Sequence, residues 1–373
     1  MNIIYNLAFL LLFQFFSSCN QAVKLPQSPT QPDSLQIQKS DKAGTANIVF
    51  KSTDGGQSWQ DINEGLPQPR KDEGMGRNIY FADVNGLWLT ADKGLYHSKP
   101  SATAPFWGKE TFPDEHSSIA PGKAGIYAYN YGGEGIFQKT NGKEVWSPVF
   151  TNFAEKQIFS IFETAGGTVF IGSDRGLFKS SNSGKSWKQL PVGGGGKMVA
   201  SNGVLLATSE SGIVRSTDDG ENWALVISEG GVGIDVACIN GGFAAITYST
   251  VSKTRRIRTS YDDGKTWQAI DTGLQAPGFI EPILMTMNAN RPAQGFSDST
   301  RHSVNTAVLP VPTYITTIIQ VGENFFCGHT HGIYRSSDKG KTWKLVRCAE
   351  EGKMFLLFVS GNVIYAIQTV SHC

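Results

Sequence analysis

Five copies of one eight-residue pattern constrain this 373-residue chain more than any other feature. They are Ser52–Trp59 (STDGGQSW), Ser180–Trp187 (SSNSGKSW), Ser216–Trp223 (STDDGENW), Ser260–Trp267 (SYDDGKTW) and Ser336–Trp343 (SSDKGKTW). The shared form is Ser-x-Asp-x-Gly-x-(Ser/Thr/Asn)-Trp, with Asn182 replacing Asp once. A carboxylate at the third position can accept N–H bonds from its own turn, and a glycine two residues on tolerates positive φ, so the pattern closes a hairpin. The tryptophan then opens the next strand and offers a large apolar face with one N–H handle, suited to wedging between neighbouring sheets. Asp54, Asn182, Asp218, Asp262 and Asp338 are therefore expected to be structural, with Trp59, Trp187, Trp223, Trp267 and Trp343 as the wedges.

A larger unit repeats around the pattern. The segments 167–180 and 203–216 both read as strand, Gly-containing loop, then Gly-hydrophobic-hydrophobic-x-Ser, and four short strands per unit is the signature of a propeller blade. Two degenerate copies reach Trp107 and Trp146 without the octapeptide. The seven tryptophans at 59, 107, 146, 187, 223, 267 and 343 are then spaced by 48, 39, 41, 36, 44 and 76 residues. Only the last gap is anomalous, and 275–312 holds five prolines and no strand pair, so it reads as an insertion between blades six and seven. The two ends complement one another: 354–370 supplies two strands, and 46–59 begins with a third strand and a turn. The expected fold is all-β: a single seven-bladed β-propeller of four-stranded antiparallel blades over 45–373, closed by pairing the N- and C-terminal strands in one blade. The octapeptide resembles the Asp-box, or bacterial neuraminidase (BNR) repeat. The blade number resembles the photosystem II assembly and stability factor family within the sialidase-like propellers, and that resemblance implies a platform that binds proteins without catalysis.

Net charge is +1 and charged residues make up 17%, so no global field points to nucleic acid, and none is expected as a partner. Leu7 to Phe16 is apolar except for Gln14, too short to span a bilayer, and leads into Ser17-Ser18-Cys19. This resembles a bacterial lipoprotein signal. It implies a signal peptide over 1–18, a lipid on Cys19 that anchors the protein to a membrane of the cell envelope, and a polar tether over 19–44; the alternative is a plain cleaved signal with a bystander cysteine. Cys238, Cys327, Cys348 and Cys373 lack metal-type spacing. Cys238 and Cys327 are expected as buried thiols, and no disulfide is expected to hold the fold.

In a four-stranded meander the loop between strands two and three and the crossover to the next blade share one face, opposite the repeated turns. That face gathers the candidate binding residues. The hairpin 248–258 of blade six bears Lys253, Arg255, Arg256 and Arg258, the insertion carries Arg291 and Arg301, and blade seven adds His329 and His331. Asp174, Arg175 and Glu210 lie on the loops of blades four and five. Long loops on a rigid scaffold are where binding resides. Sialidase chemistry would need an arginine triad, a Tyr-Glu pair and a Phe-Arg-Ile-Pro stretch. The stretch is absent, and Arg215 and Arg335 share one repeat position, which argues for architecture rather than for a triad. His329-x-His331 lacks an identifiable third metal ligand. The expectation is a non-catalytic, exported, monomeric binding or assembly platform for a protein or glycan of the cell envelope, without metal or cofactor. The alternative is a glycoside-active enzyme using acidic residues such as Asp174 and Glu210 on the same face.

Overall fold

The computed structural model describes residues 49–67, 79–91, 94–110, 118–129, 135–154, 157–193, 196–274, 314–350 and 352–370. Cys19, the tether, Arg291, Arg301, Cys373 and the 275–312 segment lie outside the described residues.

The described residues form seven four-stranded antiparallel sheets and no helix, arranged as a seven-bladed β-propeller. Blade one is composite. Its inner pair, Lys353–Ser360 and Val363–Val370, comes from the end of the described chain and its outer pair, Val49–Ser52 and Gln60–Asp61, from the beginning. Val49 pairs with Ile367 and Ser52 with Ile364, so the ring is fastened by backbone hydrogen bonds between strands more than 300 residues apart. Blades two to seven follow in chain order over 80–110, 118–149, 158–189, 198–227, 231–269 and 315–348.

Strand alternation explains why the core is divided into seven clusters, one per seam. In blade five, Leu205 and Ala207 pack against blade four, while Val204 and Leu206 on the same strand pack against blade six. Cys327 is buried on the central strand Asn324–His329, as its apolar setting implies. Cys238 differs from the expectation and is exposed, standing one residue before the end of the innermost strand of blade six, Gly231–Ile239, beyond the stretch where Asp235 and Val236 are buried. The three described cysteines are free thiols.

The octapeptide turns have one construction. Ser336 Oγ donates to Asp338 Oδ1 at 2.8 Å and accepts the Gly340 N–H at 2.8 Å, while Asp338 accepts the Thr342 N–H and hydroxyl at 2.9 and 2.6 Å. Asn182 preserves the scheme: its Oδ1 accepts from Ser180 and from the Ser186 N–H, and its Nδ2 donates to Ser186 Oγ. Both central residues are left-handed, Lys339 at φ 61 with Gly340 at φ 83 and Asp219 at φ 56 with Gly220 at φ 83, the conformation of a type I′ hairpin turn. The glycine also serves packing. A Cβ on Gly340 would stand 2.5 Å from Ile270 Cβ of blade six, and one on Gly220 would stand 2.7 Å from the Phe170 ring of blade four. Each turn is thus pressed against the preceding blade. The tryptophans are half-buried, and four of the five use their N–H: Trp223 and Trp267 cap their own turns, at Gly220 O and Gly264 O, Trp187 donates to Asn152 Oδ1 at 3.3 Å and Trp343 to Ile270 O at 2.7 Å across the seam, while the Trp59 N–H has no partner among the described residues.

Candidate functional site

The face opposite the repeated turns carries the loops 174–175, 210–211, 250–254 and 330–331. Its most elaborated part is at blades six and seven. The strands Gly242–Ser249 and Arg255–Ser260 extend the blade-six hairpin outward, with Tyr248 opposite Arg255. At its tip Val251 is 84% exposed, and the Thr250 N–H bonds Gly230 O, which braces the tip on the incoming crossover.

The three arginines at the root of the hairpin do not form a free basic patch. Arg256 Nε donates to Asp271 Oδ2 at 2.7 Å, and Asp271 is fully buried. Arg258 forms an ion pair with Glu229 through Nη2, with a second bond from Nη1 to Oε2 at 3.1 Å, and Thr247 Oγ1 joins the pair. Arg255 spans the seam to blade seven: its guanidinium lies 4.9 Å from the Tyr314 ring centroid and donates to Ile315 O at 2.6 Å. Charged side chains so placed fix the orientation of the hairpin on the scaffold. Lys253 stands apart from them at the exposed tip, with φ 57.

His329 and His331 part company. His331 is exposed, whereas His329 is 1% exposed, with its ring edge-on to those of His331 and Tyr334. The His331 N–H donates to His329 Nδ1 at 3.0 Å, so in the neutral ring the proton sits on Nε2. Burial, aided by the nearby His331, lowers the pKa of His329 to about 4 and keeps the ring neutral. Nε2 therefore presents an N–H rather than the lone pair a metal ligand needs.

Asp174, Arg175 and Glu210 are exposed on the loops of blades four and five, and the Arg175 carbonyl accepts from Gln189 Nε2. Arg215 is committed to architecture, its Nε donating to Asp263 O of the next turn, and Arg335 bonds Asn324 of its own blade. The sequence reading missed three carboxylates of this face. Glu229 and Asp271 hold the hairpin arginines, and Asp235, 2% exposed at a bulge of the innermost strand, pairs with Lys197 and accepts the Ile318 N–H of blade seven at 3.3 Å. The usable signal was the cation-rich strand 255–258 itself, which needs counter-charges wherever it is half-buried.

No protein-family profile and no curated protein matches this chain. Solved structures do. The GH74 xyloglucanase from Xanthomonas campestris superposes with a TM-score of 0.53 at 14% identity, over 81% of this chain and 52% of that one, so the chain spans about half its length. YCF48 from Cyanidioschyzon merolae gives a TM-score of 0.44 at 14% identity, over 87% and 89% of the two chains. The extracellular domain of a hybrid two component system from B. thetaiotaomicron gives 0.45 at 10% identity, over 81% and 41%. At 14% identity the likeness to the xyloglucanase is one of fold.

Proposed function

We propose that this propeller is a non-catalytic, exported binding platform that presents its loop-bearing face, centred on the blade-six hairpin, to a protein partner of the cell envelope. The observation that carries the reading is how the carboxylates of that region are used. Asp235, Asp271 and Glu229 each hold a cation or a backbone N–H, so they act as counter-ions that brace the face and not as a converging acid pair. The braced hairpin instead projects Val251 and Lys253, an apolar and a cationic group on a rigid support, which suits recognition of a partner surface. A lipid on Cys19, with residues 20–44 as tether, would hold the platform at a membrane.

The test pairs two measurements on the full chain. Co-purification of a stoichiometric envelope protein, lost in Val251→Asp/Lys253→Glu with unchanged thermal stability, is the expected result, together with a blank glycan array. A defined glycan hit with no protein partner would overturn it and make Asp174 and Glu210, the exposed acids on neighbouring blades of this face, the residues to examine. Cys19→Ser should release the protein from the membrane fraction.

A further inference from the structure

Each blade ends in an outer strand whose far edge is a row of backbone N–H and C=O groups, and six of the seven are blunted by a two-residue length, a charge or a proline. Gln60–Asp61, Lys188–Gln189 and Gln268–Ala269 are two residues long. Gly108–Glu110 holds the exposed Lys109, Trp146–Val149 holds Pro148, and Lys344–Cys348 holds the exposed Lys344. Blade five is the exception. Its outer strand, Ala224–Ile227, has four residues with neither charge nor proline, and Leu225 on it is 49% exposed. A bulge at Val226 bends this strand, as one at Val346 bends the outer strand of blade seven, but there the bulge is supplemented by the charge of Lys344 and here by none.

We propose that the outer edge of blade five receives an extended segment of a protein partner as a fifth strand. The proposal rests on the platform reading and names the kind of partner it takes. The chemistry of the edge selects the occupant: backbone groups in a row are satisfied by an extended chain, and Leu225 offers an apolar contact for alternate side chains. The ends add a charge pattern. The edge starts just after the turn that holds Asp218 ionised, and beyond Ile227 the chain reaches Gly230, where a Cβ would lie 3.6 Å from Val251 at the tip that also bears Lys253. A fitting segment is therefore apolar in the middle, basic toward the turn and acidic toward the hairpin. A second copy of this chain fits poorly, since two four-residue edges bury far less than the roughly 1,000 Å² of a stable interface.

The experiment uses the full chain and a capped peptide of alternating valine and threonine, with lysine at one end and aspartate at the other. The expected result is saturable binding, added amide-exchange protection at 224–227, loss of binding when alternate peptide nitrogens are methylated, and roughly tenfold weaker binding to Leu225→Lys. No binding, or equal binding by Leu225→Lys or by the methylated peptide, overturns the proposal. So does a peptide-free dimer in sedimentation that Leu225→Lys dissolves, which would make a second copy the occupant. Loss of the envelope partner in the Val251/Lys253 variant but not in Leu225→Lys would leave the platform standing and remove the edge from it.

Discussion

Ser98 occupies in blade two the place that Ser336 occupies in blade seven, and of the two hydroxyls only that of Ser336 has partners. Where Asp338 would stand, blade two has Pro100, so the buried Ser98 hydroxyl has no partner among the described residues. Ser98→Ala is expected to be neutral or mildly stabilising and Ser336→Ala to cost about 1–2 kcal/mol, both read from urea unfolding midpoints. A second prediction concerns acid. The Thr342 hydroxyl and N–H, with the Ser336 hydroxyl, lower the pKa of Asp338 to about 2. A carboxylate whose folded pKa lies below its ordinary value of about 4 stabilises the fold above that value and loses its contribution as pH falls toward 2. Calorimetry between pH 4 and 2 should show a shallower fall in Tm for Asp338→Asn than for the native chain, because the Asn182 turn shows that an amide can serve the same bonds without titrating. The octapeptide could be read from sequence because its bonds run over four residues or fewer. The left-handed residue before each glycine could not, since Ser183, Asp219, Asp263 and Lys339 have nothing chemical in common that announces it.

At the scale of the strand, what holds the blade-six hairpin is long-range in sequence. Arg256 meets Asp271 15 residues on and Arg258 meets Glu229 29 residues back, so a run of arginines that reads as a solvated basic loop is in fact a set of internal ties. Arg256→Ala would leave Asp271 buried without its cation, and a loss of about 3 kcal/mol is expected in chemical denaturation, with Arg256→Lys recovering part of it. Of the candidate site, the sequence located the face and the hairpin through strand count and loop length. It could not assign roles within them, because whether an arginine faces solvent or a carboxylate depends on the neighbouring crossover, whose path no local pattern encodes.

The whole ring was legible because the closing blade is split between the two ends in a way that only pairing could complete. Phe50 is the pivot of that closure: it is 3% exposed, edge-on to Phe355 at 6.0 Å, and the Arg347 guanidinium of blade seven lies 3.7 Å above its ring. Phe50→Ala is expected to cost about 3–5 kcal/mol and to lower a single transition shared by circular dichroism and tryptophan fluorescence, since opening one seam exposes the apolar faces of both adjoining blades. Two separate transitions would show that the blades melt independently of closure. The composite blade also bears on how the protein is made. Strands 49–61 emerge early from the ribosome or a translocation pore, yet the strand they pair with, Val363–Val370, emerges roughly 300 residues later, so at synthesis speeds of about 5–20 residues per second the first blade waits on the order of tens of seconds for its mate. A nascent or truncated chain therefore leaves the edge of Val49–Ser52 that faces Val363–Val370 unpaired, one open edge more than the closed ring has.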